Sequence, residues 1–373
     1  MLKLLKTEAQ IPVVWLTAAL FLLFGAGWLT AAKSSTGLTL ILFAWLFVVI
    51  MWGAFGVVRH AEHLAELLGE PYGTLILTMS VTLIEVVFII TAVATSSSST
   101  PVARDAVFAV VMIMLNGVIG LCLLLGGLRH HEQNYNLPGA RAFLSVVIPL
   151  AICTLVMPNF TLSTPGPTLS NTQAIVVGAL TLALYLVFLA MQTRRYSSFF
   201  RDPGEAEASA LPDAPHDTAP AGVNPVTFHT AGLLLTLLPV VYLTEELGHI
   251  VERAVGAMAA PIALVGVIVA VLVLAPEVMG ALQAARRNQL QRAVNIALGS
   301  VLATIGLTIP GVLLLSVFRD VPITLGLGQQ EMVLLALTLV VSTLTFGGER
   351  TNMLQGAVHL VLFLEFLLYL FIP

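Results

Sequence analysis

The sequence predicts an all-α integral membrane protein of about eleven transmembrane helices, one appended N-terminal helix followed by a 5+5 inverted repeat. Three observations predict it. Of the 373 residues, 58% are hydrophobic and 10% charged, where soluble domains carry about 25% charged residues; the mean hydropathy is +0.98. The apolar residues gather in runs near the roughly 20-residue length that a helix needs to cross a bilayer. Two glutamates, Glu85 and Glu277, lie deep inside such runs in similar contexts, one in each half of the chain.

In order, the runs are 12–32, 37–58, 73–95, 105–128, 142–158, 173–192, 228–247, 259–283, 293–316, 331–347 and 353–372. Hydrocarbon offers no partner to an unpaired backbone group, so each run is read as a helix. The first follows Lys3 and Lys6 and is about 22 residues long, longer than the 7–15 residues of a signal peptide's apolar core, so it is read as a retained helix. Cys122 and Cys153 both fall in apolar segments and imply neither a disulfide framework nor a zinc site.

Charge placement supports the count. With the N-terminus in the cytoplasm, the inside segments hold 12 of the 16 Lys and Arg residues and the outside segments hold 4: Lys33, Arg104, Arg253 and Arg319. Eleven crossings put the C-terminus outside. Residues 194–227 break the apolar pattern with Asp202, Glu205, Glu207, Asp213, His216 and Asp217 among Pro and Ala, and read as an acidic cytoplasmic linker. The expected organisation is therefore an N-terminal helix in 1–35, a first repeat in 36–193, the linker, and a second repeat in 228–373. Five helices per repeat is an odd number, so the second repeat enters the membrane inverted, a plan that places binding sites near the bilayer midplane.

A carboxylate at that depth costs about 3 kcal/mol on insertion scales, so its default reading is functional. Pro276 precedes Glu277 and has no N–H, which frees the backbone carbonyl of Leu272. Thr78 and Thr82 lie seven and three residues before Glu85, on neighbouring faces of one helix. Ca2+ takes six to eight oxygens, which carboxylates, hydroxyls, a freed carbonyl and water supply together. Burial favours the protonated carboxyl and a bound cation favours the ionised one, so cation and proton compete. If only a loaded site crosses readily, exchange of cation for proton follows. The partners implied are small cations and membrane lipid, with no cofactor and no nucleic-acid patch; monomer and homo-oligomer are both open. No nucleophile–base set suggests an enzyme. A passive cation channel is the rival class, but a channel needs a continuous run of weak sites.

Other ionisable residues are weighed beside these. Glu70, before Pro71, is a helix-start residue or an ion-access residue. Glu245 and Glu246 are expected to end the seventh helix, where they would gather cations at the outer mouth. Glu365 lies mid-run and is a relay candidate, with His359 as its partner. His60 and His63 are expected on a solvated interfacial helix.

The run from Leu68 to Val87 (LGEPYGTLILTMSVTLIEVV) resembles the first α-repeat of the calcium/proton antiporters of the cation/Ca2+ exchanger superfamily, and the run from Val265 to Gly311 resembles the second. Together they are most similar to the bacterial ChaA-type branch. The resemblance implies an inner-membrane protein with cation binding between helices 3, 4, 8 and 9, with Glu85 and Glu277 as the ion-binding pair. It maps a family asparagine onto Asn116 and a small-residue position onto Gly299-Ser300. Many family members carry an amide three residues before each glutamate; this chain has Thr82 and Leu274 there. Ca2+, Na+ and K+ all remain candidate cargo.

Overall fold

The computed structural model describes residues 8–32, 34–68, 72–95, 101–202, 223–257, 261, 263–348 and 350–372. Eleven long helical stretches run through these residues. They are α1 (Gln10–Ala32), α2 (Thr36–Leu68), α3 (Tyr72–Thr95), α4 (Val102–His130), α5 (Leu137–Phe160), α6 (Asn171–Arg195), α7 (Pro225–Ala257), α8 (Ala263–Arg286), α9 (Leu290–Arg319), α10 (Gln329–Thr345) and α11 (Met353–Phe371). Eight of them, α1, α2, α4, α5, α6, α7, α9 and α11, are long and apolar enough to cross a membrane, and α10 is a shorter apolar helix. Glu70 and most of the acidic linker, 203–222, lie outside the described residues.

The sequence marks many of the helix ends. Ser170 caps α6 through the Gln173 N–H while Gln173 reaches back to the Ser170 N–H at 3.0 Å. Asn352 and Gln355 form the same reciprocal cap on α11. The described non-glycine residues with positive φ are His131, Asn288 and Asp320, each directly or two residues beyond the end of a long helix, α4, α8 and α9. His, Asn and Asp are the types that tolerate this left-handed turn.

Two expected boundaries move. The second helix extends ten residues past 58 and the seventh ten residues past 247. In α2 the extension is possible because its polar residues find partners inside the protein. His60 is fully buried, not solvated, with its Nδ1 3.1 Å from His229 Nδ1 on α7 and its Nε2 3.1 Å from Glu8. The His60 ring occupies space that only glycine leaves: a Cβ at Gly232 would lie 2.3 Å from His60 Cε1. A two-stranded antiparallel pair that no periodicity announced joins the α4–α5 and α10–α11 connections: β1 (Glu132–Asn134) and β2 (Arg350–Asn352), with Gln133 opposite Thr351.

The chain forms two compact units, each drawing on both halves of the sequence: 1–92 with 213–276, and 93–212 with 277–373. In the first, α1, α2 and α7 pack on one another. In the second, α11 lies along α4, α6 along the C-terminal part of α9, and α5 along its N-terminal part. Without water to drive apolar surfaces together, helix association in lipid relies on close backbone approach at small residues. At the α4–α11 contact a Cβ on Gly356 would fall 2.6 Å from Leu124 N and 2.8 Å from Gly120 O.

Gly356→Ala therefore forces α11 away from α4, and we expect a loss of about 1–3 kcal/mol, measured as a lower midpoint of thermal unfolding in detergent. Gly27→Ala, where nothing stands within 4 Å of the new Cβ, is the control and leaves the midpoint unchanged or slightly higher.

Glu8 anchors the start of α1. Its Oε2 accepts from Arg59 at 2.6 Å, Gln10 at 2.9 Å and His60 at 3.1 Å. Burial alone would raise its pKa, but the hydrogen bond and charge of His60, with the charge of Arg59, outweigh burial and hold it below its ordinary 4.5. A carboxyl whose folded pKa is lowered contributes stability that is complete above the unfolded value and lost as pH falls through the folded one. Wild-type protein should thus lose unfolding temperature more steeply than Glu8→Gln as pH drops below about 4.5.

Candidate cation site

Both expected glutamates are deeply buried. Glu85 is 3% exposed at the middle of α3, and Glu277 is 1% exposed in the second half of α8. The division between the compact units crosses these two helices, α3 between Ala92 and Val93 and α8 between Pro276 and Glu277.

Around Glu85, Thr82 lies one turn earlier on the same face and is 1% exposed. Its hydroxyl differs from its peers. Ser80, Thr154, Thr236 and Thr244 each donate to the carbonyl four residues back, at 2.7–2.8 Å. Thr82 Oγ1 has no hydrogen-bond partner among the described residues. A buried hydroxyl held out of the usual helical bond is an oxygen with capacity for a further partner. The side chain of Thr78 lies outside the described residues, although its backbone is helical.

Around Glu277, α8 continues through Pro276 without a break from Ala263 to Arg286. Proline has no N–H, so the Leu272 carbonyl has no helical donor. Leu274, three residues before Glu277, is fully buried and apolar.

Asn116 and Ser300 fall on helices that depart from α geometry in the same way. In α4 residues Ile113–Val118 form a π segment containing Asn116; in α9 residues Thr304–Thr308 form another, one turn after Ser300. π segments are frequent at functional sites, because the extra residue re-aims side chains and loosens the backbone bonds; α5 and α6 carry two more, at Ile152–Val156 and Met191–Arg195, without a candidate site residue. Asn116 is 0% and Ser300 1% exposed, and the stretch of α9 bearing Ser300 packs on the π segment of α4. Asn116 Nδ2 donates to Thr338 Oγ1 on α10 at 2.7 Å, and its Oδ1 is 3.1 Å from His359 Nδ1 on α11.

The remaining expectations fare differently. Glu245 and Glu246 do not end α7; the helix runs on to Ala257, and both are half-buried within it. Tyr242 donates to Glu246 Oε1 at 3.0 Å, and the other oxygen faces Gly25 of α1. These contacts take Glu246 into a helix interface and away from an outer loop. Glu365 is half-buried on α11, and His359 meets Asn116 and Thr345, at 3.1 and 3.0 Å, and the backbone carbonyl of Leu115. Their offset decides it: Glu365 lies six residues from His359, on a different face of the helix. Sequence reasoning missed Thr338 and Thr308. The latter, fully buried at the end of the α9 π segment, has a hydroxyl with no hydrogen-bond partner among the described residues. A threonine in an apolar run is too common to stand out, and only the π segment marks this one.

Residues 38–194 and 228–372 match the family model described as sodium/calcium exchanger protein. The sodium-potassium/proton antiporter ChaA of Escherichia coli (strain K12) is 40% identical over 322 residues, 86% of each chain. The Ca(2+)/H(+) antiporter of Aphanothece halophytica is 24% identical over 268 residues, 69% of this chain and 71% of that one. Among solved structures, the H+/Ca2+ exchanger CAX shares the fold, with a TM-score of 0.71 and 14% identity over 97% of this chain and 88% of that one.

Thr82→Val removes the hydroxyl while keeping the branched shape. No protein hydrogen bond is lost, so unfolding temperature should hold or rise, whereas KM for the transported cation should increase about five- to tenfold. Initial rates of cation-driven proton movement in membrane vesicles, beside a thermal melt, check both halves.

Proposed function

The chain belongs to the sodium/calcium exchanger protein family, and from that premise we propose that it is a secondary antiporter that moves cytoplasmic cations outward against entering protons through Glu85 and Glu277. The observation that carries this reading is the burial of one carboxylate in each of two apolar helices, α3 and α8. An ionised carboxylate at that depth is costly. Each glutamate therefore favours a loaded form, holding a proton or facing a cation, over an empty ionised one. Because both loads neutralise the same groups, uptake of one releases the other. That competition is the coupling, and it needs no cofactor.

Oxygen donors of differing kinds accompany the carboxylates: the Thr82 hydroxyl, the Leu272 carbonyl, the Asn116 amide and the Ser300 hydroxyl. Glu70, Thr78 and Glu365 are secondary candidates, for access, coordination and relay. The relative named a Ca(2+)/H(+) antiporter supports Ca2+ as cargo. A second reading, exchange of Na+ or K+ with little Ca2+ preference, draws on Leu274, which removes one amide oxygen from the donor set that Ca2+ would use. The relative named for sodium and potassium supports the same reading. We assign the protein to a bacterial inner membrane, with the N-terminus cytoplasmic, on the bias of its Lys and Arg residues.

Everted membrane vesicles with an imposed pH gradient test the proposal. Addition of Ca2+, Na+ or K+, but not Mg2+, should collapse the gradient, and Glu85→Gln and Glu277→Gln should each lower the initial rate about 100-fold. Vesicles in which both variants retain wild-type rates would refute the assigned role of the glutamates. Cation flux that persists at equal rate with no proton movement would instead identify a channel.

A further inference from the structure

We propose that His359 is a positioning residue for the transported cation: it fixes the side-chain amide of Asn116 so that one oxygen lone pair is kept for the ion. The inference rests on the reading of Asn116 as a cation ligand. Its own support is a chain of buried contacts within the second compact unit.

Asn116 sits in the π segment of α4 and is 0% exposed, as are His359 on α11 and Thr338 on α10. Asn116 Nδ2 is 2.7 Å from Thr338 Oγ1 and 3.6 Å from Met112 Sδ. Thr338 Oγ1 is itself 3.5 Å from Met112 Sδ. Asn116 Oδ1 is 3.1 Å from His359 Nδ1, and His359 Nε2 is 3.0 Å from Thr345 Oγ1; the ring also bonds the backbone carbonyl of Leu115, one residue before Asn116.

The direction of these bonds follows from Met112. A thioether sulfur accepts and never donates. The amide end facing it must therefore be the NH2 group, and the Thr338 hydroxyl, which accepts from that NH2, sends its own proton to the same sulfur. With the NH2 end settled, the carbonyl end faces His359, whose Nδ1 must carry a proton in order to donate. Nε2 is then the acceptor of the Thr345 hydroxyl in the neutral ring. An amide has four hydrogen-bonding positions, two N–H groups and two oxygen lone pairs. Here Thr338 and Met112 take both N–H groups and His359 takes one lone pair. Among the described residues, one Oδ1 lone pair is left, on the atom type that a hard cation requires.

Without the histidine the NH2 end keeps Thr338 and Met112, but the carbonyl end loses the donor that fixes its direction, and its oxygen is no longer held toward the ion. The fold holds the histidine close. A Cβ on Gly120 would lie 2.9 Å from Leu360 Cγ, and one on Gly117 would lie 3.4 Å from the Phe363 ring. These two α4 glycines, flanking Asn116 on its C-terminal side, let α11 approach near enough for a direct bond.

Three replacements of His359 separate positioning from packing. In His359→Asn the side-chain NH2 reaches the place of Nδ1 and keeps the bond to Asn116, although the smaller side chain leaves a void. His359→Gln fills more of the space, but its NH2 reaches the place of Nε2 and serves Thr345. His359→Phe fills the space with no donor. Transport is measured in everted vesicles with Na+, K+ and Ca2+ each as probe, beside a thermal melt of the purified protein. The expected result is a KM within about threefold of wild type for the Asn variant and about tenfold higher for Gln and Phe, although Asn has the lowest unfolding temperature. Adding Asn116→Ala should erase the difference between Asn and Gln at 359.

Equal KM values for the three variants, or KM values that track unfolding temperature, would overturn the inference while leaving the antiport reading intact. A wild-type KM for Asn116→Ala alone would remove Asn116 from the ligand set, and the inference with it. Loss of proton-coupled transport in Glu85→Gln and Glu277→Gln tests the broader reading independently of position 359.

Discussion

The structure is organised around the cost of an ionised carboxylate in a low-dielectric layer. In the antiport proposed above, that cost is why Glu85 and Glu277 would need loads and why a load of either kind would suffice. It also explains the surroundings. A site that must give up its ion cannot be built from many charges, because each added carboxylate deepens binding and slows release. The companions proposed above are accordingly neutral oxygens: the buried hydroxyls of Thr82 and Ser300, the buried amide of Asn116 and the backbone carbonyl of Leu272.

Neutral donors are useful only when their oxygens are withheld from ordinary intrahelical bonds, and the chain achieves this in three ways. Proline at 276 deletes the donor that would occupy the Leu272 carbonyl. Thr82 leaves its hydroxyl out of the bond to the preceding turn that Ser80 makes. The π segments at Ile113–Val118 and Thr304–Thr308 shift the register of α4 and α9 where Asn116 and Thr308 lie. The proline and the π segments weaken the local helix. Close packing elsewhere offsets it, at Gly120 and Gly356 between α4 and α11 and at Gly306 against Tyr185 of α6. The π segments of α4 and α9 each pack on a neighbour, α11 for α4 and α6 for α9.

How far the sequence discloses this depends on the length scale of the signal. Runs of about 20 apolar residues report directly on bilayer thickness, so the helices and both glutamates were legible from composition alone. The ends were less so. The apolar run of α2 stops near 58, yet the helix continues to Leu68, because Arg59 and His60 find Glu8 and His229 instead of water. Hydropathy cannot see a polar residue satisfied by a partner 169 positions away. The same blindness placed Glu245 and Glu246 at a helix end and His359 beside Glu365. Three-residue strands such as β1 and β2 have no periodicity to read. The π segments leave no composition signal either, since an inserted residue alters geometry and not chemistry.

The donor set is uneven, and the unevenness bears on which cation is carried. Near Glu85 a hydroxyl replaces the amide of many relatives; near Glu277 the corresponding Leu274 offers no oxygen at all. A site short of neutral oxygens must complete the shell of a bound ion with water. Ca2+ takes six to eight oxygens, water among them, so a shell short of protein oxygens binds it with fewer fixed ligands. Each remaining protein oxygen then counts for more. The orientation of a single amide, Asn116, becomes a determinant of affinity, and selectivity passes to residues that never touch the ion. Met112 sets the direction of the hydrogen bonds, His359 holds the carbonyl, and Thr345 holds the histidine.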